Sequence, residues 1–103
     1  MKKTFALTHP KIQLPRLVES VKFDIKKYLK RERNKALPID ADYWDFDCKF
    51  GITEADAQVV HLAQINKCLD KAEKAEQATC YIEILAKPGY RQFIAAEDAS
   101  NAT

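Results

Sequence analysis

Residues 42–51 read DYWDFDCKFG, and the fold turns on how that stretch is taken. Apolar and polar residues alternate from Asp42 to Phe50. Trp44, Phe46, Cys48 and Phe50 fall on one side of an extended chain, and Tyr43, Asp45, Asp47 and Lys49 on the other. A period of two specifies a strand with one dry and one wet face, and so a sheet covered on one side only. Gly51 closes the strand.

Upstream the period changes. From Arg16 to about Lys35 the apolar residues Leu17, Val18, Val21, Ile25, Tyr28 and Leu29 recur at three- and four-residue steps, which predicts an amphipathic helix. Pro15 suits its first turn, and Pro38 forces it to stop. Before it, residues 3–7 (KTFAL) form a short strand candidate. Downstream, Thr53 reads as an N-cap with Glu54 and Asp56 in the first turn, predicting a second helix to about Glu76. Its buried arc would hold Ala55, Val59, Leu62, Ile65, Leu69 and Ala72. Residues 79–87 (TCYIEILAK) give a third strand, Pro88-Gly89 the middle of a type II turn, and RQFIA (91–95) a returning fourth strand.

The expected fold is therefore α+β. It is a two-layer sandwich of order β-α-β-α-β, with or without a last β, both helices packed on one face of a three- or four-stranded sheet. Residues 1–95 make a single domain, and 96–103 a flexible C-terminal tail. The apolar fraction of 47% against 31% charged residues is enough for one core without disulfides. Cys48, Cys68 and Cys80 are odd in number and form no C-x-x-C pair, so they read as reduced core thiols. No run nears the roughly 20 apolar residues of a membrane span, nor does the N-terminus resemble a signal peptide. A soluble, cytoplasmic protein with no membrane partner is expected.

The charge is divided unequally. Residues 1–37 hold eleven Lys or Arg against Glu19, Asp24 and Glu32, for +8; residues 38–103 hold six against twelve acids, for −6. Such polarity attracts an anion at one side or a complementary partner at both. At 100° per residue, Lys22, Lys26, Lys30 and Arg33 line one side of the first helix, with Lys27 and Arg31 further round and Phe23 among them. Cations for phosphates with an aromatic for a base to stack on suit RNA. Arg91, in the turn LAKPGYR, offers a second anion contact.

The leading expectation is a non-enzymatic RNA-binding protein, in one version attached to the ribosome, with Lys22, Phe23, Lys26, Lys27, Lys30, Arg31, Arg33 and Arg91 as contacts. An alternative is a protein-interaction or self-associating module in which the basic helix of one chain meets the acidic sheet face of another. A third is a divalent-metal-dependent enzyme. Asp45 and Asp47, two apart on a strand, share a face at roughly 7 Å, and Mg²⁺ or Ca²⁺ requires oxygen ligands. Alternation alone accounts for these aspartates as well, with Lys49 and Lys87 to pair with them. His61 and Cys68, two helical turns apart, are too distant for a shared metal or a nucleophilic pair, and His9 lies in a turn. No G-x-S-x-G, H-E-x-x-H or G-x-x-x-x-G-K-[ST] occurs, and no cofactor is expected.

Taken together, KKTFALTHPKI (2–12), KYLKRERNKALP (27–38), WDFDCKFG (44–51) and EILAKPGYR (83–91) resemble a family of small uncharacterised bacterial proteins, a domain of unknown function. The WDFDCKFG and KRER stretches carry most of that resemblance, which covers residues 2–91. It implies a stand-alone bacterial cytosolic protein and transfers no functional residue. The β-α-β-α-β-β order separately resembles the C-terminal domain of bacterial translation initiation factor three, which implies RNA contact by analogy of fold alone.

Overall fold

Residues 43–51 do lie in a strand, and that strand runs through the middle of the sheet. The computed structural model describes residues 1–91. In chain order the elements are β1 (Lys2–Ala6), α1 (Leu14–Arg33), β2 (Tyr43–Gly51), β3 (Gln58–Val60), a 3₁₀ turn (Leu62–Gln64), α2 (Ile65–Lys74) and β4 (Thr79–Gly89). All neighbouring strands are antiparallel, in the order β1-β4-β2-β3. The α+β class and the two-layer plan match the expectation. The chain order is β-α-β-β-α-β.

The sheet's dry face is built by the period-two pattern. Phe46 and Cys48 of β2 and Cys80, Ile82 and Ile84 of β4 are buried there with Phe5 of β1. Against them pack Val18, Val21 and Ile25 of α1 and Ile65, Leu69 and Ala72 of α2, each set at three- and four-residue steps. Trp44 and Phe50 border the same core, and the Trp44 indole N–H donates to the Lys35 carbonyl at 2.9 Å. That bond ties the start of β2 to the end of α1, across a connection in which Asp40 takes a positive φ of 72°. The last turn of α1 carries Lys30, Arg31 and Arg33, which complement the negative end of the helix dipole.

Two expectations are corrected. No helix begins at Thr53. Residues 58–60 form β3, pairing Cys48 with Val60, Lys49 with Val59 and Phe50 with Gln58, and Val59 points outward at 80% exposure. The outer edge of β2 needs ladder partners, and two β-branched valines supply them better than they would fill a helix. The turn that returns the chain folds so tightly on Gly51 that a Cβ there would lie 2.6 Å from the Ala57 Cα. Helix formation waits until His61, whose Nδ1 accepts the Ala63 N–H at 3.1 Å while Gln64 Oε1 accepts the His61 N–H at 3.2 Å. This reciprocal cap opens the 3₁₀ turn that leads into α2.

The second correction concerns Pro88-Gly89, which is no turn. β4 continues to Gly89, opposite Tyr43, and no glycine has a positive φ. β1 pairs with β4 only over Thr79–Glu83. Pro88 therefore sits where its missing N–H would face no strand among the described residues. The fourth strand is β3; the expected strand at 91–95 falls, past Arg91, outside the described residues, as does the expected tail at 96–103.

α2 ends at Ala75 with Glu76 in the left-handed region at φ 53°. The Gln77 N–H reaches the Ala72 carbonyl at 3.1 Å and the Glu76 N–H the Glu73 carbonyl at 3.0 Å, the paired bonds of a Schellman ending. Glycine normally holds that position because a Cβ is strained there. Glu76→Gly is accordingly expected to stabilise the fold by about 1 kcal/mol, read as a higher urea midpoint with unchanged slope.

Candidate functional site

α1 presents opposite faces to the core and to solvent. Val18, Val21 and Ile25 lie inward, while Phe23 stands on the far side at 60% exposure. Around it Lys26, Lys27, Lys30, Arg31 and Arg33 are all exposed. The Lys27 ammonium lies 5.3 Å from the centroid of the Phe23 ring, a cation–π contact. Arg31 lies similarly over Tyr28 at 5.5 Å and Arg33 over Phe46 at 5.4 Å.

The expected cations are not equally available. Lys22 Nζ is 2.6 Å from Asp70 Oδ1, an ion pair that joins α1 to α2. Glu32 is taken by Lys35 at 2.9 Å and approaches Arg31 only at 3.8 Å. Among the described residues, Lys26, Lys27, Lys30 and Arg33 have no carboxylate partner. The cationic run therefore reaches from Lys26 to Arg33, with Glu19 at its N-terminal side and Lys22 at its margin. Arg91 is exposed beyond the end of β4, where its backbone N–H donates to Asp42 Oδ2 at 2.7 Å, so it is anchored to the sheet end rather than to the helix face.

On the open sheet face, Lys87 Nζ lies 2.8 Å from Asp47 Oδ1 and 4.0 Å from Asp45 Oδ2. The hydrogen bond and charge of Asp47 hold Lys87 above the usual lysine range. The two carboxylates thus share an ammonium, and Asp45 Oδ1 also accepts the Phe46 N–H at 2.9 Å. Among the described residues no three His, Cys, Asp or Glu come together in a way that could hold a metal ion. The histidines bond within their own turns: His9 Nδ1 accepts the Lys11 N–H at 3.0 Å, and His61 caps the 3₁₀ turn. Sequence reasoning placed His61 on a helix rim and missed the cap, although the H-x-x-Q spacing of His61 and Gln64 carries that signal.

A second feature was not legible beforehand. Between α1 and the start of α2 runs a groove of about 340 Å³, with Ile25, Leu29, Leu62 and Ile65 as its apolar lining and Lys22, Phe23, Lys26 and Asn66 around them. It opens beside the exposed ring of Phe23.

No helix of the described residues is long and apolar enough to cross a membrane. No curated protein and no solved structure matches the chain. A family model covers residues 1–95, which takes in every element described above, and by that match the chain belongs to a family of unknown function (DUF6172).

Proposed function

We propose that this chain binds single-stranded RNA without catalysing a reaction, as a bacterial cytoplasmic protein that works on its own or on the ribosome. The exposure of Phe23 among unpaired cations carries the reading. A 60% exposed phenylalanine at the N-terminal margin of a charged helix face has no core to fill, and every nucleobase offers a π-face to stack on it. Lys26, Lys27, Lys30, Arg31 and Arg33 would neutralise phosphates; Lys22, bound to Asp70, contributes less. Self-association through the acidic sheet face draws less support, because Lys87 already sits between Asp45 and Asp47.

Fluorescence anisotropy with an oligouridylate at two salt concentrations tests this. Five phosphate contacts predict a log–log salt slope of about −3.5 on a single strand. Lys26→Glu with Lys30→Glu should weaken binding at least tenfold, and Phe23→Ala by about tenfold. If no binding occurs at low salt, or if the double charge reversal leaves it unchanged, the proposal fails.

A further inference from the structure

The groove beside Phe23 adds something that a flat basic face does not offer. Lys22 pairs with Asp70, and Lys26, one turn later on α1, lines the same groove as Asn66, one turn earlier on α2. The helices thus run antiparallel past the groove, and Lys26 stands opposite Asn66. Neither side chain has a hydrogen-bond partner among the described residues. Both are exposed at the mouth of an apolar trough floored by Ile25, Leu29 and Ile65.

Order around the helix fixes which side of Phe23 faces the groove. Going round α1, Lys22 and Lys26 precede Phe23 on the groove side and Lys27 follows it on the other. The Lys27 ammonium lies 5.3 Å from the centroid of the Phe23 ring, and the same ring lines the groove. A planar apolar body entering the trough would meet Leu62 below and the Phe23 ring at its rim. The Lys26 ammonium would lie within reach of its attached anion. The Asn66 amide carries both a donor and an acceptor, as recognition of a base edge requires.

We infer that the groove between α1 and the start of α2 is a pocket for one extruded base of a single-stranded RNA, seated against Phe23 and Leu62, with Asn66 at its edge and Lys26 on the adjoining phosphate. This rests on the RNA reading above and deepens it. Backbone binding by the cationic face alone would be indifferent to the bases, whereas an occupied groove makes affinity depend on their presence and kind.

The test uses the full chain and four labelled eight-residue probes: oligo-U, oligo-A, oligo-C and an abasic ribose-phosphate chain. Anisotropy titrations should place at least one base-bearing probe about tenfold or more tighter than the abasic one. Ala63 also lines the groove, and Ala63→Leu, which adds bulk there without touching a charge, should bring that probe down to the abasic affinity and leave abasic binding unchanged. Asn66→Ala should narrow the spread among the three bases while keeping the salt slope. Far-ultraviolet circular dichroism checks that both variants are folded; if Ala63→Leu is not, Asn66→Ala decides alone. Equal binding of abasic and base-bearing probes overturns the pocket and leaves the RNA reading standing. A folded Ala63→Leu protein that still discriminates overturns it too. Failure of every probe to bind overturns both.

Discussion

Leu69→Ala is expected to cost about 2–5 kcal/mol of folding stability, and Val59→Ala less than about 0.5 kcal/mol. The sequence pattern places both residues in one buried helical arc. In the fold they part company: Leu69 is fully buried on α2 against the sheet, while Val59 projects from β3 into water at 80% exposure. Truncating Leu69 removes buried methyl groups and leaves a cavity in a small core whose total stability is on the order of 5–15 kcal/mol. Urea denaturation should show the midpoint of Leu69→Ala falling by a large fraction at constant slope, with that of Val59→Ala almost unmoved. A comparable loss at both positions would mean that residues 53–60 are helical after all.

The second large effect is alkaline. Burial pushes the Cys80 thiol from 9.0 up to about 11, and burial with the hydrogen bond to Glu83 pushes Tyr81 from 10.0 up to about 12. Cys48 and Tyr28 are raised as well, again chiefly by burial. Each of these groups holds its proton more tightly folded than unfolded. In the window between the two values the unfolded chain binds fewer protons, so stability falls as pH rises. The contribution is whole below about pH 9 and is lost progressively as pH climbs through 11 and 12. Cys80 alone accounts for on the order of 2 kcal/mol across that range. Chemical denaturation at intervals from pH 8 to 11.5 should show a steady decline, with the early part of the slope reduced in Cys80→Ala. A flat profile to pH 11 would contradict the buried placement of Cys80.

Most of the framework was legible because two periodicities are clean. The alternation from Tyr43 to Phe50 needs no tertiary information to be read as a strand with one wet face, and β2 obeys it cleanly from Phe46 to Phe50, with Trp44 and Asp45 both half-buried. The stripe of Val18, Val21 and Ile25 likewise announces α1, and Phe23 opposite that stripe is exposed as its phase requires. Residues 53–60 misled for a physical reason. Thr-Glu-Ala-Asp carries real helix-start chemistry, but the edge of β2 at Cys48–Phe50 competes for the same segment and wins Gln58–Val60 as its partner. Local propensity cannot see a ladder that forms between elements.

Pro88-Gly89 misled in a similar way. The dipeptide favours a turn in isolation, yet β1 is too short to reach Pro88, so the strand tolerates it. Of the candidate contacts, the phase of the cations was readable, while the capture of Lys22 by Asp70 was not, since it joins residues 48 positions apart. The groove was hidden for the same reason: its walls come from two helices whose packing no local pattern encodes.

The shortness of β3 has a consequence for how the molecule behaves in a crowd. β2 is nine residues long and β3 covers only Cys48–Phe50, so among the described residues the Tyr43–Asp47 rim of the sheet has no strand beside it. Such a rim invites another chain to join by its main chain. Asp45 answers part of that invitation from within, by folding its own carboxylate back onto the Phe46 N–H. A single side chain thus removes one of the main-chain donors that a second copy would need in order to add at that rim.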